Sequence, residues 1–385
     1  MRGLISGVVA GFLMVSTPAW AAETLKLGVV GGMTGGGAAW GLAIDGGVRV
    51  AVEEMNAAGG LKVGDETYMF EVVSYDDRYK AAEAVTATNR LIDQDGVKFI
   101  FGPIGSASVL AMKPITEETG TILLSNSYSN EVLTAGTKYL FRVLPTQKEY
   151  VGEMVGWLKE NRPDVNRIAI LSPNDATGWA TQELQTGAYE SHGYDIVEKK
   201  FFERTQNDFR TILAGILAQE VDAIELDTTP PSLAGIMIRQ AREMGYTGLF
   251  TKFGGNNVGE TVASAGVENV EGLLVYLSAD PTGDAYAKMS ADYARFHDNS
   301  MDDFTFFFYD AANMLFQAMA KAGTVEDTDA VAAEIENITP YTGIQGVVVW
   351  GGMDSYGVDH QILTPAYVAE VKGGEAHIID MFEPK

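Results

Sequence analysis

Residues 24–60 read TLKLGVVGGMTGGGAAWGLAIDGGVRVAVEEMNAAGG, and the rest of the chain repeats the pattern they set. The apolar run 24–30 predicts a buried strand. Residues 39–57 predict a helix, because Ile44, Val48, Ala51 and Met55 fall on one face at alternating steps of four and three. Gly59 and Gly60 stop it. Working outward, strands are expected at 68–73, 97–101 and 121–124, with helices at 81–93 and within 103–118. The alternation restarts with a helix at 148–161 and strands at 167–171, 196–202, 221–226, 249–252 and 273–277. Helices are expected between them at 181–192, 208–218 and 233–244. Three further helices, 284–297, 304–322 and 327–336, and short strands near 347–349 and 366–371 complete the chain. This order predicts an α/β fold of two doubly wound, mostly parallel sheets with helices on both faces. No Pro-rich or low-complexity linker separates the halves, so short crossings are expected to join the two lobes.

The first residues decide the expected compartment. Arg2 is followed by an apolar run from Leu4 to Val15, then by Ser16, Thr17 and Pro18 and the triplet Ala19, Trp20, Ala21. A basic start, a short apolar core and an A-x-A triplet are the parts of a cleavable signal peptide. The run is too short for the roughly 20 residues that span a bilayer. The mature chain is therefore expected to begin at Ala22. The sequence has no cysteine, which removes thiolate catalysis, cysteine metal sites and a lipid-bearing N-terminal Cys. A protein free in a periplasm is expected. The formal charge of −25 opposes binding to nucleic acid and to anionic membranes.

Several chemistries find no motif. The glycines between Gly28 and Gly41 fit G-x-G-x-x-G in no register, and the stretch has no G-K-[ST]. His192, His297, His360 and His377 lack H-E-x-x-H spacing, and no G-x-S-x-G elbow occurs. Adjacent carboxylates such as Glu53 and Glu54, Asp76 and Asp77, or Asp302 and Asp303 read as solvated faces of an acidic protein. A non-enzyme without cofactor or metal is expected.

The blocks LKLGVVGGMTGGGAAWG, VVSYDDRYKAAEAVTATNRLI, VKFIFGPIGSASVLAMKPI, ILLSNSYSNEVLT, RIAILSPNDATGW and VENVEGLLV, in this order, resemble the periplasmic binding proteins of branched-chain amino-acid (Leu/Ile/Val) ABC transporters. The resemblance implies a type I periplasmic binding protein, or Venus flytrap, whose two lobes are joined by three crossings. These are placed near 143–147, 275–281 and 354–364. Residues 22–144 and 278–360 would form lobe one, and 145–277 and 361–385 lobe two. It also implies a monomer that captures a small solute between the lobes and hands it to the permease subunits of an importer. A sensory receptor of the same fold is the competing class.

Site residues follow from the resemblance position by position. Ser106, in GPIGSAS, matches a serine that binds the ligand α-carboxylate. Independently, it opens a helix whose free N–H groups suit an anion, although a plain N-cap gives the same residue. Ser127 and Ser129 match the loop that reaches carboxylate and ammonium, or form an ordinary turn. Trp40 matches a cleft-wall aromatic, or is core. Tyr309 matches a cleft-edge aromatic, whereas Phe304, Phe307, Phe308 and Ala311 read as core. Thr177, with Trp179, lies in a second-lobe loop facing the cleft. The pattern then departs: Gly254 stands where the family carries the glutamate that neutralises the ammonium, and Asp227, Thr228 and Thr229 replace an expected tyrosine. Asp227 either supplies the missing charge or makes a turn or cap. If no acid faces the ligand, keto acids, aromatic acids and amides become candidates beside amino acids.

Overall fold

The structure is a computed structural model that describes residues 23–255 and 257–383. The expected signal peptide and its cleavage point lie outside the described residues. Two sheets organise the chain. The first has nine strands in the order 341–343, 346–351, 361–363, 140–142, 122–125, 99–101, 23–31, 66–76 and 61–63. The second has seven, in the order 375–382, 366–372, 274–277, 249–252, 223–225, 167–173 and 195–202. The central strands of both pair in parallel, and the antiparallel pairs stand at the margins.

Strand residues alternate between two cores, as a sheet covered on both faces requires. Leu27, Val29, Phe99, Phe101, Ile122 and Leu124 join one apolar cluster of lobe one, whereas Val30, Ile100 and Leu123 join the other. Lobe two repeats this, with Ala169 and Leu171 on one face and Ile168 and Ile170 on the opposite one. Helix Ala38–Ala57 lies on helix Phe304–Ala322 at backbone distance. A Cβ on Gly47 would stand 2.3 Å from the Thr305 carbonyl oxygen. A mid-helix glycine costs about 1 kcal/mol in propensity, and here that cost is offset by the close helix approach it permits.

The chain changes sheet three times: between 142 and 167, between 277 and 341, and between 363 and 366. The first interval contains 143–147, and the second overlaps 275–281. The third comes later than a lobe-one end at residue 360, because Gln361 pairs with Arg142 in the first sheet and both side chains are buried. Strand Gln361–Leu363 therefore belongs to lobe one, and Thr364 and Pro365 make the passage. No helix among the described residues is long and apolar enough to cross a membrane.

In each lobe the strand order reverses once. From strand Glu23–Gly31 the chain first moves to Glu66–Asp76 on one side, then to Phe99–Phe101 on the other. From Arg167–Pro173 it moves to Asp195–Phe202 and then across to Ala223–Glu225. Such switch points open a crevice at the carboxyl ends of the strands, where ligands of open α/β sheets bind.

Candidate ligand-binding site

The loops leaving the two switch points meet. In lobe one, the segment after Phe99–Phe101 leads into helix Ser106–Thr119, and the segment after Ile122–Ser125 carries Ser127 and Ser129. In lobe two, the segment after Arg167–Pro173 leads into helix Ala176–Ser191, where Asp175 caps the free N–H groups of Thr177 and Gly178 at 3.0 Å each. The capped turn presents Thr177 to lobe one. Its Oγ1 lies 3.1 Å from both the backbone N and the Oγ of Ser106. Ser127 Oγ donates to Ser106 Oγ at 3.0 Å, and Ser129 N to the same oxygen at 3.2 Å. Tyr79 closes the group from lobe one, its hydroxyl 3.3 Å from Thr177 Oγ1. All four Ser and Thr residues are buried.

Every member of this cluster is a backbone N–H or a hydroxyl. A hydroxyl both donates and accepts, so these groups satisfy one another here, and each can turn its proton toward an acceptor. A carboxylate only accepts. Two N–H groups, up to four hydroxyls and the positive end of helix Ser106–Thr119 therefore form a cradle matched to one carboxylate.

Beside the cradle is a small, partly open pocket. Trp40, Tyr79, Tyr128 and Phe304 supply its aromatic walls, and Ile104, Thr177, Thr228 and Gly255 complete them. Trp40 and Tyr79 come from lobe one and have ring centroids 6.0 Å apart. Over both rings lies the Arg204 guanidinium of lobe two, 4.6 Å from the Tyr79 centroid and 5.6 Å from that of Trp40. Asp175 pairs with it. Burial opposes the Arg204 charge, but Tyr79 and Asp175 outweigh that and raise its pKa.

Residues 24–376 match the family described as periplasmic binding protein. The chain belongs to the periplasmic binding protein family. A leucine-specific-binding protein of Salmonella typhimurium is 31% identical over 71% of this chain and 72% of its own length. The crystal structure of a leucine binding protein, LivK, from Thermotoga maritima superposes with a TM-score of 0.81 at 25% identity, covering 94% of this chain and 99% of that one. An R. palustris solute binding protein in complex with benzoate superposes at 0.80 with 18% identity, over 94% and 97% of the two chains. That last likeness is one of fold.

Among the expected site residues of this periplasmic binding protein, Ser106, Ser127, Ser129 and Thr177 are brought together, and Trp40 joins them at the cavity wall. Thr229 and Gly254 stand one residue from cavity-lining positions, next to Thr228 and Gly255. Tyr309 is placed elsewhere. Its hydroxyl bonds Glu54 on helix Ala38–Ala57, and it packs at the helix–helix contact. Phe304, at the start of the same helix, lies in the core as expected and also borders the pocket. Tyr79, Tyr128 and Arg204 were not singled out by the sequence.

Asp227 is held within lobe two by side-chain hydrogen bonds. Gln147 Nε2 and Thr181 Oγ1 each donate to one of its oxygens at 2.6 Å, and its backbone, at φ +41°, turns away from the strand. Burial raises its pKa. Lys252 ends the adjacent strand and donates to the carbonyls of Gly254 and Gly255. The loop expected to carry an acid is thus built around a buried amine. Burial lowers the pKa of that amine to about 7.

Glu225, beneath this loop, accepts from Asp227 N at 2.7 Å and Phe253 N at 3.0 Å. Burial raises its pKa from 4.5 to about 7. The folded state then holds a proton that the unfolded state releases. Its contribution to stability is full below pH 4.5 and is lost as pH rises through about 7. Glu225→Gln, which cannot ionise, is expected to flatten the fall in stability across this window. Urea titrations at several pH values read the slope, and a slope equal to that of wild type would refute the assignment.

Proposed function

We propose that this protein is the exported solute-binding component of an ABC importer and that its ligand is a small carboxylate, an amino acid of branched-chain type or a related acid, held between the lobes. The convergence of Ser106, Ser127, Ser129 and Thr177 from both lobes on one cradle carries this reading. Because the cradle needs groups from both lobes, a bound carboxylate stabilises the closed arrangement over the open one. The closed form is what the permease would recognise. The names of the relatives support an amino acid, since one is a leucine-specific-binding protein. The R. palustris complex shows that this fold also holds benzoate. The protein acts by binding, and ligand recovered from it should be chemically unchanged.

A thermal-shift screen of amino acids, keto acids and aromatic acids tests the reading. A ligand specific for the native state adds about 2.7 kcal/mol at a hundredfold excess over Kd. Ser106→Ala should weaken each hit about 10- to 150-fold, the range for a hydrogen bond to a charged group. A screen without hits, or hits indifferent to Ser106→Ala, would overturn it.

A further inference from the structure

Two buried donors at the aromatic wall have no protein partner: Nη1 of Arg204 and Nε1 of Trp40. Their side chains are neighbours, with the guanidinium 5.6 Å from the indole centroid. Trp40 forms part of the cavity, and Arg204 lies over Trp40 and Tyr79, which both do. A buried donor left unpaired is costly, and a charged one more so. Both atoms donate and neither accepts, so what answers them is an acceptor.

The kind of acceptor follows from the rest of the guanidinium. Its Nε and Nη2 already face Asp175. The Nε/Nη2 edge is therefore occupied by Asp175, and the pair is formally neutral. Nη1 keeps its N–H groups without a partner, and because the ion pair is already neutral they suit an uncharged oxygen. An ammonium is excluded from this wall because it too only donates. The buried carboxylate nearest from lobe two, Asp227, already accepts a hydrogen bond on each oxygen, from Gln147 and Thr181.

We infer that Arg204 and Trp40 form a second recognition point, reading an uncharged acceptor oxygen, carbonyl or hydroxyl, on a carboxylate that carries no ammonium. This rests on the carboxylate reading of the serine cradle and narrows it to oxo and hydroxy acids. Tyr79 links the two points, with its hydroxyl at the cradle and its ring beneath the guanidinium.

Matched ligand pairs test it by calorimetric titration: α-ketoisocaproate against isocaproate, and p-hydroxybenzoate against benzoate, with leucine as the ammonium-bearing control. At least one oxygenated acid should bind about tenfold or more tightly than its parent, and tighter than leucine. Arg204→Met should collapse that ratio toward one. Trp40→Phe keeps an aromatic ring and removes the indole N–H along with the fused ring, so it should shrink the same ratio even if Arg204→Met folds poorly. Ser106→Ala should weaken both members of a pair alike and leave their ratio intact. Equal affinities within both pairs, or a ratio that survives both substitutions, would overturn the second recognition point while the cradle stands. Leucine binding more tightly than its keto acid, with that affinity lost in Asp302→Asn, would also overturn it. It would assign the ammonium to Asp302, a buried carboxyl with one oxygen unpaired. No binding by any of the five acids would overturn the cradle and the inference together.

Discussion

Replacing Arg142 by alanine should cost more than about 3 kcal/mol of stability, since each buried acceptor left unpaired is worth about 1–3 kcal/mol. Arg142 is fully buried at the end of strand Leu140–Arg142. Its Nη1 donates to the carbonyls of Ser127 at 2.9 Å and Ser129 at 3.2 Å, and its Nε donates to Gln361. The guanidinium also lies over the Tyr356 ring, 4.6 Å from the centroid. One side chain therefore ties the serine loop of the cradle to the strand that precedes the third crossing. Alanine strands three acceptors and frees the loop, so ligand affinity should fall with stability. Lysine should rescue little, because one ammonium does not reproduce the planar fork that reaches Gln361 and both carbonyls. Denaturant titrations and calorimetry on both variants give the two readouts. Unchanged midpoints in Arg142→Ala, or full rescue in Arg142→Lys, would remove Arg142 from this role.

Arg142 also shows where sequence reading stops. Strands such as Phe99–Phe101 and Ile122–Ser125 were legible because every residue in them is buried, so the apolar run itself is the signal. Helix Phe304–Ala322 was legible because its apolar residues outnumber its polar ones and Gly323 ends it in the left-handed region. The three-residue strand Leu140–Arg142 was not, because its third residue reads as a surface charge. Strand Glu375–Phe382 was missed for the opposite reason. It is an edge strand, mostly exposed, and its sequence carries Glu, His and Asp among the apolar residues.

The site divides in the same way. Ser106, Ser127, Ser129 and Thr177 sit in segments that follow strands, which is where the family resemblance places them, and helix starts mark two of them. The partners that set charge in the cleft are tertiary. Asp227 accepts hydrogen bonds from Gln147 and Thr181, which lie 80 and 46 residues away in the chain. Arg204 follows a strand in lobe two, yet its role depends on two rings of lobe one. Nothing in the local sequence around Asp227 or Arg204 distinguishes a free charge from one already hydrogen-bonded.

Gly178→Ala is expected to damage both stability and binding, although alanine is the better helix former. Gly178 lies in the first turn of helix Ala176–Ser191, and a Cβ there would stand 2.0 Å from the Pro173 carbonyl oxygen. The atom in the way is backbone, at the end of the strand that the helix follows, so no side-chain rotation relieves the clash. The helix start must move by about an ångström or more, and overpacking of this kind costs about 1–3 kcal/mol. Thr177 moves with it. Its Oγ1 reaches Ser106 at 3.1 Å, a distance that leaves little room before the hydrogen bond fails. A carboxylate held between the two residues should lose about 1.5–3 kcal/mol, roughly 10- to 150-fold in Kd. Gly187→Ala is the matched control. It lies in the same helix with nothing within 4 Å of its Cβ position, so the same change should stabilise by up to about 1 kcal/mol through helix propensity and leave Kd alone. Opposite signs for the two alanines in thermal unfolding, with loss of affinity confined to Gly178→Ala, are the expected result. If both variants gain stability and bind as wild type does, the approach of helix to strand is looser than 2.0 Å implies, and Thr177 is not held in the cradle by that contact.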